Sequence, residues 1–87
     1  MIVKIGYKAA FLRMLKKLPP NLQLEVKEKI ILFAGQPDHV SLRTHKLQGP
    51  LKGLCSFSVN YAYRIVFEYE DKSTVVLLAV GDHDVYR

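Results

Sequence analysis

Apolar residues recur along this chain with two different periods, and the switches between them mark out its elements. Ile2/Val3 and Ile5 alternate within the opening MIVKIGY, which predicts a short first strand. After Gly6 the spacing lengthens. Tyr7, Phe11, Met14/Leu15 and Leu18 recur every three or four positions, while Lys8, Arg13, Lys16 and Lys17 fall elsewhere. That is the signature of a basic amphipathic helix. Pro19-Pro20 ends it, because proline lacks the N–H a helix interior uses but is accepted in the first turn of the next helix. The second helix is predicted from about Asn21 to Ala34, with Leu22, Val26, Ile30 and Phe33 on one face. Gly35 is expected to supply a left-handed stop, with Pro37 just beyond. So short a link makes the two helices an antiparallel hairpin, whose apolar stripes need a sheet to cover them.

The stretch GQPDHVSLRTHKLQGPLKG holds three glycines and two prolines and reads as a loop. From Leu54 the period falls to two. Cys55, Phe57 and Val59 alternate with Ser56, Ser58 and Asn60; after a turn near Asn60-Tyr61, Tyr63, Ile65, Phe67 and Tyr69 alternate with Arg64, Val66 and Glu68. EDKS is a hairpin turn. TVVLLAVG is apolar on both sides, as a central strand would be. The expected order is β-α-α-β-β-β: an α+β fold in which a helical hairpin packs on a mostly antiparallel, four-stranded sheet. Residues 1–87 are expected to form a single domain with one core.

Composition narrows the classes. No run approaches the roughly 20 apolar residues that cross a bilayer. The first residues lack a signal peptide's apolar run and cleavage site, and Cys55 is the single cysteine, so a cytoplasmic location is expected, with no membrane partner. Charge is uneven: residues 1–54 hold ten Lys/Arg against three Asp/Glu, and residues 55–87 hold three against five. A basic half suits a polyanionic partner, nucleic acid or acidic protein, and equally a solvated surface.

A few residues could carry chemistry. Arg64 sits among strand formers, where it could pair with Glu68 or clamp a phosphate from a rigid platform. His83, between Asp82 and Asp84 beyond the last strand, is suited to proton transfer, and acidic neighbours would favour its charged form. Tyr86 could stack on a base or close the core's edge. Arg43, His45, Lys46 and Lys52 lie within ten positions of the loop and could track a phosphate backbone or form a plain basic surface. His39, His45 and His83 have neither i,i+4 spacing nor a cysteine partner, so no zinc site is predicted, and no glycine-rich phosphate motif implies a cofactor.

Taken together, HKLQGPLKG, YRIVFEY and LLAVGDHDVYR resemble the RelE/ParE superfamily of bacterial toxins, in particular its RelE-like messenger-RNA interferases. The resemblance follows the whole chain in element order and is sharpest over the last forty-odd residues. It implies a microbial-ribonuclease-like fold and a type II toxin, monomeric when free and hetero-oligomeric with a cognate antitoxin. It further implies a metal-independent endoribonuclease that cuts messenger in the ribosomal A site and so inhibits translation. There the ribose 2′-hydroxyl attacks the adjacent phosphate, giving a 2′,3′-cyclic phosphate. Carried over by position, Arg64 holds the phosphate, His83 is the general acid, Tyr86 orients the messenger, and His45 is the candidate general base. Arg43, Lys46, Lys52 and Arg87 fall among the expected RNA contacts. Three positions depart from the pattern: the histidine and aspartate of one branch are missing near Ser58 and Ala62, and Asp82 replaces a commonly basic residue. Two other readings therefore stand beside the nuclease: a ParE-like poison of DNA gyrase, and a weakened toxin acting mainly as an antitoxin-bound regulator.

Overall fold

The computed structural model describes residues 2–82 and Val85. Strand β1 (Lys4–Tyr7) leads into helices α1 (Ala9–Lys16) and α2 (Pro20–Gly35). Strands β2 (His45–Lys46), β3 (Cys55–Ser58), β4 (Arg64–Asp71) and β5 (Thr74–Gly81) follow, with short 3-10 turns at Val40–Leu42 and Gly49–Leu51. They form one sheet in the order β1-β5-β4-β3-β2. β1 runs parallel to β5, and the other pairings are antiparallel. The α+β class and the helical hairpin match expectation. The sheet has five strands rather than four, because His45 and Lys46, read as loop, pair with Ser56 and Cys55. Two residues carry no detectable period, so only the register with β3 reveals such a strand.

The hairpin closes as the prolines dictate. Pro20 occupies the first turn of α2, where its missing N–H costs nothing. The Gln23 side chain reaches back to the end of α1, donating to the carbonyls of Leu18 at 2.8 Å and Lys16 at 3.3 Å. Those carbonyls would otherwise lack a partner within the helix. Gly35 ends α2 without the expected left-handed turn: positive φ occurs at Arg43, Gly49 and Gly53, and Gln36 leaves the helix with φ −140° and ψ 70°.

The core lies between α2 and one face of the sheet. Phe33 of α2 stacks on Phe57 of β3 with centroids 4.4 Å apart and meets Phe67 of β4 edge-on at 4.9 Å. Such pairs add about 0.5–1.5 kcal/mol each beyond the area they bury. Val26, Ile65, Val75 and Leu77 complete the cluster, and Phe11 anchors α1 to it. β5 is central, flanked by β1 and β4, and its buried Val75-Val76-Leu77 run accounts for the loss of alternation there. β3 differs from its expected half-buried pattern, since Ser56 and Ser58 are buried along with Cys55 and Phe57. Ser56 lies in the ladder between His45 and Val66, and Ser58 opposite Arg64. A short hydroxymethyl between larger neighbours is shut from water even on the face away from the helices.

Candidate functional site

Register brings the polar face of the sheet together. Residues directly opposite across antiparallel strands point to the same side. Ser58, Arg64 and Gly81 form one row across β3, β4 and β5, and His45, Ser56, Val66 and Ala79 form the next, on the face opposite the phenylalanine cluster. Arg64 and His45 thus share a face, roughly 12 Å apart by strand spacing and rise.

Arg64 is fixed. Its Nη1 donates to Ser58 Oγ at 2.5 Å, while Glu68 stands four residues along the strand, roughly 13 Å away by backbone rise. The pairing with Glu68 gives way to a clamp across the β3–β4 ladder. Ser58 is buried, and its oxygen accepts from the guanidinium, so the serine holds the arginine from across the ladder. A guanidinium carries five N–H donors in a planar fork, a geometry that matches a phosphate or carboxylate.

A cleft of about 420 Å³ opens beside this pair, lined by Lys29, Val40, Ser41, Arg43, Ser58, Val59, Asn60, Tyr61 and Arg64. Three cations therefore meet from three segments: α2, the turn before β2, and β4. Arg43 is held with φ at 47°, a conformation uncommon for a residue with a side chain. His45 Nδ1 lies 2.9 Å from the Arg43 carbonyl oxygen, which can only accept, so Nδ1 carries the proton and a neutral ring keeps its lone pair on Nε2.

The four loop residues do not form one track. Arg43 lines this cleft, and His45 lies on the open face beside Ser56. Lys46 pairs opposite Cys55 and lines a second cleft of about 420 Å³ with Lys52, Cys55 and Tyr69. There burial pushes the Cys55 thiol above its ordinary 9.0, with the Lys46 charge pulling the other way, and burial raises the Tyr69 phenol too. His83, Tyr86 and Arg87 lie outside the described residues, so the expected meeting of Arg64 and His83 is not on view. The last strand residue, Gly81, is directly opposite Arg64. Just beyond it the Val85 N–H donates to the Asp82 carbonyl at 3.0 Å, and a Cβ on Gly81 would meet Val85 at an ordinary 3.4 Å.

Lys29, Asn60 and Tyr61 were not legible as site residues. Asn60 gave the one usable signal, since an asparagine between two strand patterns favours a side-chain-capped turn. Among the described residues no cluster of three or more His, Cys, Asp or Glu could hold a metal ion.

Comparison with solved structures reports on the fold directly. A chain of the toxin–antitoxin complex RelBE2 from Mycobacterium tuberculosis superposes with a TM-score of 0.80 at 26% identity, covering 95% of this chain and 100% of that one. YafQ from Escherichia coli gives 0.78 at 16% identity over 97% of both chains. A chain of the archaeal RelE–RelB complex from Pyrococcus horikoshii gives 0.71 at 17% identity, over 94% of this chain and 96% of that one. No family model matches the sequence, and neither does any curated protein.

Proposed function

We propose that this chain, which has the fold of the RelE-like toxin superfamily, is the toxin of a toxin–antitoxin pair and an endoribonuclease acting on messenger in the ribosomal A site. The observation that carries the reading is the convergence of Lys29, Arg43 and a Ser58-held Arg64 on one open cleft. A phosphate under attack gains negative charge, and fixed cations aimed at that charge supply the largest part of such catalysis. In the reaction the 2′-oxygen forms a bond to phosphorus as its proton passes to a base, and the bond from phosphorus to the 5′-oxygen breaks as that oxygen takes a proton. The products are a 2′,3′-cyclic phosphate and a 5′-hydroxyl. His45, with its Nε2 lone pair on the open face, is assigned as base. His83, carried over from the resemblance, is assigned as acid, with Tyr86 orienting the messenger and Lys46, Lys52 and Arg87 contacting its backbone.

The partner is a cognate antitoxin, as in the complexes that this fold resembles. An apolar groove of about 490 Å³ on the helical hairpin, lined by Tyr7, Leu12, Leu15, Lys27, Ile30 and Ile31, suits the apolar face of an antitoxin helix. Ile31 is 72% exposed there, an unusual state for isoleucine unless something covers it.

A second reading rests on a specific feature: among the described residues no imidazole or carboxylate lines the cationic cleft. Such a site binds anions without moving protons, which suits a gyrase poison or an antitoxin-bound regulator. Induction of the toxin alone, followed by mapping of transcript ends, separates these readings. Cleavage within translated messages, with 2′,3′-cyclic phosphate ends, is expected. His83→Ala should abolish it while antitoxin binding persists. Inhibited supercoiling without such ends identifies the gyrase poison, and harmless expression identifies the regulator.

A further inference from the structure

We infer that Tyr61 is a stacking platform for the nucleobase adjoining the phosphate held by Arg43 and Arg64, an inference that rests on the RNA-cleaving reading. Tyr61 is 93% exposed, so the fold makes almost no use of its ring. The backbone carrying it is nonetheless tightly held. Asn60 Oδ1 accepts the N–H groups of Ala62 and Tyr63, both at 2.8 Å, and Asn60 Nδ2 donates to Glu25 of α2. The N–H of Val59 closes the turn on the Tyr63 carbonyl at 2.9 Å. The phenol therefore stands on a turn tied both to itself and to the helix one turn before Lys29.

Its neighbours point to the ligand. Tyr61 lines the same cleft as Lys29, Arg43, Ser58 and Arg64. Proteins that hold single strands combine a cationic groove for the backbone with aromatic faces for the bases, because every base offers a π-face. An acidic peptide would satisfy the cations but has no use for an exposed ring. Tyrosine also loses little freedom on stacking, having only two side-chain torsions.

The test is binding of a hexaribonucleotide carrying 2-aminopurine beside a central 2′-deoxy linkage that cannot be cleaved, at low ionic strength. Wild type should bind and quench the probe. Tyr61→Ala should bind about tenfold more weakly and lose the quench, with the salt dependence unchanged because no charge is removed. Tyr61→Trp should restore both. An abasic site at the probe position should cost wild type the same factor and Tyr61→Ala nothing more. Because the ring is exposed, the variants should keep the wild-type thermal midpoint. If wild type binds and quenches but Tyr61→Ala does the same, the stacking role is wrong and the RNA reading stands. If Tyr61→Ala loses antitoxin while holding RNA normally, the ring serves a protein contact and the inference falls. Failure of the wild type to bind the hexamer at all overturns the RNA reading with it.

Discussion

The clefts at the two ends of β3 have the same volume, about 420 Å³, and both carry cations, yet they are built for different work. At the Ser58 end a guanidinium is fixed by a buried hydroxyl, and a second arginine arrives on a turn with an uncommon backbone conformation. At the Cys55 end the cations are Lys46 and Lys52, on a two-residue strand and a loop, beside a thiol and a phenol kept protonated by burial. A planar fork held in place can recognise one phosphate in one geometry, whereas an ammonium on a flexible stem offers charge with little direction. Polarity of charge alone does not make a site; fixation does. On the proposed reading the Ser58 end holds the reacting phosphate, and Lys46 and Lys52 at the Cys55 end make a track for the messenger backbone.

The largest effect should come from unfixing Arg64. Arg64→Ala is expected to lower kcat on programmed ribosomes by 10²- to 10³-fold, in the range found when one transition-state donor is removed. Arg64→Lys keeps the charge but loses the fork, and should recover little of that loss. Ser58→Ala should cost about tenfold in kcat with KM nearly unchanged, and Ser58→Thr should restore it, because the hydroxyl acts by holding the guanidinium. Equal loss of kcat from Lys46→Ala would erase the distinction between the two ends.

Much of this architecture could be read from periodicity, and the part that could not has a physical reason. The Leu22, Val26, Ile30 and Phe33 stripe and the alternation of Cys55, Phe57 and Val59 identify the faces that meet, and the structure joins them through Phe33 and Phe57. Periodicity reports which side is apolar, not whether the other side is covered, so the burial of Ser56 and Ser58 was invisible. Arg64 was legible because a charge in a strand interior is conspicuous. Its partner was not legible, because pairing read along a strand is local in sequence, whereas Ser58 comes from across the ladder. Lys29 and Tyr61 look like ordinary surface residues until the tertiary fold sets them beside Arg43 and Arg64. The parting of His45 from Lys46 follows from the two-residue strand β2, which sends neighbouring side chains opposite ways.

A smaller effect should mark the track. Lys46→Ala and Lys52→Ala are each expected to weaken binding of a single-stranded oligonucleotide several-fold. Each should also flatten the dependence of log K on log salt by about 0.7, the share of one phosphate contact on a single strand. Turnover at saturation should be unchanged. A slope that stays at the wild-type value in both variants would remove the backbone from this end of β3.

The smallest effect concerns the protons that burial holds on the Cys55 end. Burial raises the Cys55 pKa above 9.0, and the positive charge of Lys46 partly opposes it. The folded chain therefore keeps the thiol proton to higher pH than the unfolded chain does. The resulting contribution to stability is fully present below about pH 9 and is lost as pH rises through the raised value. Tyr69 works in the same sense, from an ordinary value of 10.0. Urea midpoints followed from pH 7 to 10.5 should accordingly fall at the alkaline end, and fall less steeply in Cys55→Ser. Lys46→Met, which keeps an apolar stem but removes the charge, should push the thiol higher still. Its alkylation by iodoacetamide should then need a higher pH than in wild type, whereas an unmoved profile would mean that the Lys46 charge is spent in water and does not reach the cleft.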